Sequence, residues 1–212
     1  MLLYYITDRA QFAGNEESQH RALLEKIAEA ARCGIDFIQL REKDLSGREL
    51  ESLARAAVQA VRENSSQTRI LINSRSDVAL ACGADGVHLR SDDVAPSDVR
   101  TVWSRSGANS KKPSPCIAVS CHSPEEVARA QAREVDFVVF APVFEKKGLP
   151  GARPAGIAAL REACRNEVAV LALGGITVEN AHLCRDAGAA GLAGIRLFQE
   201  HSIAEIVQRL RG

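Results

Sequence analysis

The segment Gln39-Leu40-Arg41-Glu42-Lys43 places an amide and two cations at alternate positions. On an extended strand that spacing turns Gln39, Arg41 and Lys43 to one face, where they would form a receptor for phosphate or pyrophosphate. An ion pair from Arg41 or Lys43 to a neighbouring helix is the plainer alternative. In Ser120-Cys121-His122-Ser123 the same alternation groups Ser120 with His122 and turns Cys121 away. A Cys121–His122 nucleophile pair is thereby disfavoured, and His122 becomes the candidate general acid and base. It stands just before a helix start, where the helix dipole favours a neutral, proton-accepting imidazole.

Other polar residues close apolar runs in the same way: Asn73-Ser74-Arg75, Arg90-Ser91-Asp92-Asp93, Leu173-Gly174-Gly175-Ile176-Thr177 and Gly194-Ile195-Arg196. Asp93 could ligate a divalent ion or act as a turn acid ahead of Val94-Ala95-Pro96. His88 reads as a hydrogen-bonded residue of a buried wall in preference to a catalytic group. Gly174 and Gly175 would let backbone N–H groups approach an anion closely, and a plain packing duty is less expected at their position. The stretch 146–156 is rich in Gly and Pro and carries three cations, Lys146 and Lys147 among them, as a mobile anion-facing lid would.

These residues terminate eight apolar runs rich in β-branched or aromatic side chains: Leu2–Thr7, Asp36–Leu40, Arg69–Ile72, Gly86–Leu89, Cys116–Ser120, Phe137–Ala141, Val168–Leu173 and Gly191–Ile195. Between them lie helix starts, namely the capping box Ser46-Gly47-Arg48-Glu49, Ser123-Pro124-Glu125-Glu126, and Thr177 ahead of Val178-Glu179-Asn180. Gly34 and Gly188 follow the Ala-rich stretches Lys26–Cys33 and Ala181–Ala187, as C-terminal glycine caps do. Continuous apolar strands separated by crossover helices mean a parallel sheet. Eight such units predict an α/β fold, a (β/α)8 TIM barrel, with residues 1–212 as a single domain. Chemistry then belongs at the carboxyl ends of the strands, and the 104–115 stretch, with Lys111 and Lys112, becomes a solvated loop on the opposite face. No G-x-G-x-x-G or Walker lysine loop is present.

Composition narrows the class. The chain has 212 residues, 46% hydrophobic and 25% charged, with 27 basic and 27 acidic side chains. A formal net charge of zero argues against a nucleic-acid or membrane-surface partner. Its apolar stretches fall far short of the ~20 residues of a membrane span, and no signal sequence is visible at the N-terminus. The six cysteines lack metal-ligand spacing, so they read as reduced thiols of a cytoplasmic protein.

Seven segments resemble, in order and over essentially the whole chain, the thiamin phosphate synthase/TenI superfamily. They are Tyr5-Ile6-Thr7-Asp8, Gln39-Leu40-Arg41-Glu42-Lys43-Asp44, Asn73-Ser74-Arg75-Ser76-Asp77-Val78-Ala79-Leu80, Ala84-Asp85-Gly86-Val87-His88-Leu89, Val119-Ser120-Cys121-His122-Ser123, Ala141-Pro142-Val143-Phe144 and Leu173-Gly174-Gly175-Ile176-Thr177. The resemblance implies a (β/α)8 barrel of thiamin biosynthesis with one of two activities. Synthases join hydroxymethylpyrimidine pyrophosphate to thiazole phosphate with Mg2+, expelling pyrophosphate through a cation-like pyrimidine. The TenI branch includes a metal-independent thiazole tautomerase that moves a proton with a histidine.

By position, the resemblance assigns Gln39, Arg41, Lys43 and Asn73 to the pyrimidine pyrophosphate, Asp93 to Mg2+, and Gly174, Gly175, Ile195 and Arg196 to the thiazole phosphate. Ser74 stands where synthases carry a second metal-binding Asp, Arg90-Ser91 replace Gly-Gln, and Arg196 replaces a phosphate-contacting serine. The synthase Thr-x-Thr-Lys loop is absent, and the 144–151 segment is similar to a shortened TenI-branch loop. His122 matches the tautomerase histidine, which many synthases share.

Loss of one Mg2+ carboxylate removes charge from a site that must stabilise departing pyrophosphate. That leans the expectation slightly toward a tautomerase with catalytic His122, Arg41 and Lys43, substrate contacts from Ser120, Lys146 and Lys147, and no cofactor. The alternative is the Mg2+-dependent synthase with Asp93 as its metal ligand. A third is a non-catalytic barrel that binds thiazole or thiamin phosphate. Substrates are thiazole phosphate and, for a synthase, hydroxymethylpyrimidine pyrophosphate; homo-oligomer formation is left open.

Overall fold

A computed structural model describes residues 1–106, 113–145 and 153–212. Strands β1 (Leu2–Ile6), β2 (Phe37–Leu40), β3 (Arg69–Asn73), β4 (Gly86–Leu89), β5 (Cys116–Cys121), β6 (Phe137–Phe140), β7 (Ala169–Ala172) and β8 (Gly191–Gly194) form one closed barrel in chain order. Register is parallel, with Ile6 opposite Gln39, Gln39 opposite Leu71, Ser120 opposite Val139, and Val139 opposite Leu171. The expected (β/α)8 TIM barrel is the observed fold.

Two compact units divide the chain, Leu3–Val87 with Ile195–Gly212, and Met1–Leu2 with His88–Gly194. In the first, α1 (Glu16–Arg32) buries Leu23, Ile27, Ala30 and Ala31. Helix α2 (Gly47–Asn64) buries Leu50, Leu53, Ala54, Ala57 and Val61, the stripe that a 3.6-residue period aims at a core. Its start is the Ser46–Glu49 capping box read from the sequence. The first unit also holds α3 (Ser76–Cys82), α8 (Arg196–Gln199) and α9 (Ile203–Arg211). The second holds α4 (Pro96–Ser106), α5 (Pro124–Gln131), α6 (Gly156–Ala163) and α7 (Ala181–Asp186).

Gly34 and Gly188 follow α1 and α7 at φ +78° and +98°, the left-handed cap expected of them. Several element ends differ from the sequence reading by a residue or two, and two features bear on the site. Strand β2 stops at Leu40, so the pleat argument reaches Gln39 but not Arg41 or Lys43, which lie in a loop. Thr177 opens a turn, exchanging hydrogen bonds with Asn180 at 2.8 and 3.3 Å, and α7 begins only at Ala181.

A recurring latch fixes strand starts at the amino end. Asp36, immediately before β2, accepts the Leu3 N–H at 2.7 Å and pairs with Arg211. Asp85, before β4, accepts the Ile70 N–H at 2.7 Å and Arg62 at 2.6 Å. Asp136, before β6, accepts the Ile117 N–H at 2.8 Å and Arg100 at 3.3 Å. Ala190, before β8, donates its N–H to Val170 as Asp85 does to Ile70, but has no carboxylate to offer.

Candidate active site

In the unit containing β1 to β3, Gln39 is buried and its amide donates to the Tyr4 hydroxyl at 3.0 Å, so one of its donors is already committed to the wall. Beyond the strand, the Arg41 N–H donates to the Thr7 hydroxyl at 3.0 Å. The Arg41 side chain is half-buried, and no carboxylate among the described residues lies within ion-pair distance of its guanidinium. The helix ion pair weighed as the alternative for Arg41 is therefore not formed among them. Lys43 is exposed.

Sequence reasoning missed what holds this loop. Glu42 is buried, accepting the Thr7 hydroxyl at 2.5 Å, the Arg9 N–H at 3.0 Å and the Arg9 guanidinium at 3.2 Å. The same guanidinium grips Asp44 at 2.7 and 2.6 Å. That fork holds the Asp44 carboxyl below its ordinary range and raises the Arg9 guanidinium above its own. Tyr5, whose hydroxyl donates to Gln199 at 2.9 Å, has its pKa pushed well up by burial and serves as a hydrogen-bonding strut.

Asn73 ends β3, and its amide reaches the Ser74 hydroxyl at 3.4 Å. Ser74 adopts φ +57°, a left-handed turn that few non-glycine residues take. Ile195 caps α8 and Arg196 is its exposed first residue.

In the other unit, His122 precedes α5, which Ser123 caps, and the His122 N–H donates to Glu126 at 2.7 Å. Its Nδ1 lies 2.8 Å from the Ala141 carbonyl. A carbonyl only accepts, so Nδ1 carries the hydrogen, and Nε2 of the neutral ring is left as a proton acceptor. Cys121, turned the other way as expected, is buried, which pushes its thiol up to about 12 and removes it as a nucleophile. His88 is the wall residue anticipated: it is buried, with Nε2 2.8 Å from the Ser120 hydroxyl, so Ser120 is engaged there as well.

Asp93 accepts the Arg90 N–H at 2.8 Å and Arg90 Nε at 3.3 Å. The turn-acid assignment is thus formed. The packing duty judged less expected for Gly174 and Gly175 is present. A Cβ on Gly174 would meet Pro142 atoms at 2.8 Å, and one on Gly175 would meet the Glu145 carbonyl at 2.5 Å. The Val143 and Phe144 N–H groups donate to Leu173 and Gly174 at 2.9 and 3.0 Å, tying the stretch after β6 to the turn after β7. Lys146 and Lys147, with the 146–152 part of the expected lid, lie outside the described residues, as do Lys111 and Lys112.

A parallel eight-stranded barrel with polar side chains just past its strands is the architecture of enzymes whose chemistry sits at the carboxyl ends of the strands. The profile of the thiamine monophosphate synthase family, TMP-TENI, matches residues 3–198, and the chain belongs to that family. It is an enzyme of the thiamin phosphate synthase/TenI type.

The chain is 38% identical over 199 residues to a putative thiamine-phosphate synthase 2 of Aquifex aeolicus, covering 93% of this chain and 97% of that one. It is 32% identical over 193 residues to the thiamine-phosphate synthase of Syntrophomonas wolfei, covering 90% and 85% respectively. Among solved structures, the thiamine phosphate pyrophosphorylase of Pyrococcus furiosus superposes with a TM-score of 0.79 at 28% identity, covering 99% and 93% of the two chains. A 3-hexulose-6-phosphate synthase, at 18% identity and a TM-score of 0.70, shares the fold.

Proposed function

We propose that the chain is a thiamine-phosphate synthase, joining hydroxymethylpyrimidine pyrophosphate to thiazole phosphate with release of pyrophosphate. The observation that carries this reading is Arg41, held by its backbone just past β2 with a guanidinium that no described carboxylate neutralises. Departing pyrophosphate needs such charge, and a tautomerase has no pyrophosphate to hold. The names of the relatives support the same reading, and the initial lean toward a tautomerase gives way to it.

In this reading Gln39, Arg41, Lys43 and Asn73 bind the pyrimidine pyrophosphate. Gly174, Gly175, Ile195 and Arg196 hold the thiazole phosphate, aided by Ser120, Lys146 and Lys147. Six free cysteines accord with a reducing, cytoplasmic setting.

Mg2+ belongs to the reading. Among the described residues no group of three or more His, Cys, Asp or Glu could hold a metal ion. Mg2+ does not require one, since it accepts one or two carboxylates together with substrate phosphates. Asp93 supplies a hard carboxylate of the kind Mg2+ takes, and its hydrogen bonds from Arg90 are ones a bound ion would share, so Asp93 fits as the protein ligand. When bound, the ion supplies positive charge to the leaving pyrophosphate.

His122 favours the tautomerase as a second reading, because its fixed Nδ1–H leaves Nε2 to accept a proton. Purified protein given both synthase substrates should form thiamin phosphate and pyrophosphate only with Mg2+. Arg41→Ala should lower kcat/KM about 10- to 100-fold, the worth of a charge-assisted contact. If no condensation occurs, and deuterium exchange into carboxythiazole phosphate in D2O is lost with His122→Ala, the tautomerase reading replaces the synthase.

A further inference from the structure

In Arg41-Glu42-Lys43-Asp44 both acids turn to Arg9, and their arrangement bears on the cations with which they alternate. We propose that Glu42, acting with Thr7 and Arg9, is a positioning group that presets the Arg41–Lys43 backbone for pyrophosphate. The proposal rests on the synthase reading.

The Glu42 and Arg9 side chains are 2% and 7% exposed. Burying such a pair carries a desolvation penalty that an apolar pair of the same size avoids, so stability alone does not explain it. Its chemistry points to orientation. The Thr7 hydroxyl has one proton, which goes to Glu42 at 2.5 Å, and a lone pair is thereby left facing the Arg41 N–H at 3.0 Å. Asp44 is gripped by both arms of the Arg9 fork. The loop is held at the backbone of residue 41 and at the side chains of residues 42 and 44. The Arg41 guanidinium remains without a carboxylate partner among the described residues. A cation on a backbone fixed in advance loses less freedom when it meets an anion, and it meets it in one geometry.

The test uses Thr7→Val, which keeps the volume and removes the hydroxyl, Thr7→Ser, which keeps the hydroxyl, and Glu42→Gln. Each is titrated calorimetrically with inorganic pyrophosphate in Mg2+ and assayed with both substrates, alone and combined with Arg41→Ala. Thr7→Val and Glu42→Gln should weaken pyrophosphate binding about 10-fold and raise KM for the pyrimidine substrate more than they lower kcat. Thr7→Ser should restore binding to within about threefold of wild type, and Arg41→Ala should cost about threefold less on the Thr7→Val background.

Wild-type-like binding by folded Thr7→Val, or additivity of Thr7→Val with Arg41→Ala, overturns the proposal. A lowered melting temperature with additive effects marks a purely structural contact and does the same. If Glu42→Gln does not fold, the two Thr7 variants decide. Failure of the synthase reading looks different: wild type then neither binds pyrophosphate nor turns over, and Arg41→Ala changes nothing.

Discussion

Cys121 and His122 are neighbours with opposite fates. Burial raises the Cys121 thiol from an ordinary 9.0 to about 12, and Cys184 rises likewise to about 12. A raised thiol means that the folded chain keeps protons that the unfolded chain releases. The stabilisation is therefore complete below pH 9 and is lost as pH climbs from 9 toward 12. Neither thiol should react with a maleimide at pH 8 in the folded protein, and chemical denaturation midpoints should fall above pH 9. Labelling of Cys121 under native conditions would contradict its placement. Strand alternation separated these two residues only in part, because β5 ends at the buried Cys121 and His122 lies just beyond it, exposed. Glu42 was not legible in the same way, since its partner Arg9 is 33 residues distant and nothing local marks a buried charge.

At the level of elements, the latch residues account for where strands begin. Asp85 is the cleanest case, with its carboxylate on one backbone N–H and one arginine and its side chain 23% exposed. Asp85→Ala leaves the Ile70 N–H without its acceptor and should lower the free energy of unfolding by about 2 kcal/mol. Asp85→Asn keeps an acceptor oxygen and loses only the half-exposed ion pair, so it should cost less than about 1 kcal/mol. Urea denaturation distinguishes the two. Helix starts were readable where a side chain caps the backbone, as Ser46 and Ser123 do. Thr177 does accept the Asn180 N–H with its hydroxyl and the Ala181 N–H with its carbonyl, as a cap would, but regular helix begins only at Ala181. At Gly174 and Gly175 the tight approach to Pro142 and Glu145 is a packing duty that no local pattern reveals, added to the one read from the sequence.

For the whole molecule, the eight apolar runs were sufficient to count the strands, since a parallel strand buried on both faces leaves an uninterrupted signature. The choice between synthase and tautomerase was less legible, because both activities use the same barrel and His122 suits either, while Ser74 argues one way and Arg41 the other. Ligand binding should register globally. A 100-fold excess over Kd of hydroxymethylpyrimidine pyrophosphate with Mg2+ stabilises the bound state by about 2.7 kcal/mol. For a chain of this length that corresponds to a rise in Tm of roughly 5–10 °C. Calorimetry that shows no shift at such saturation would remove the pyrimidine substrate from consideration.

The Asp36 carboxylate touches both Leu3 and Arg211, so the amino-terminal strand and the carboxy-terminal helix hang from one side chain. The seam between β1 and β2 is fastened by the same device as the seams at Asp85 and Asp136, and here the latch also anchors the last helix. A first strand and a last helix held by one carboxylate lie within reach of a short bridge. A circularly permuted gene, with the old ends bridged by a few residues and new ones cut in an unlatched turn, would still encode the same barrel.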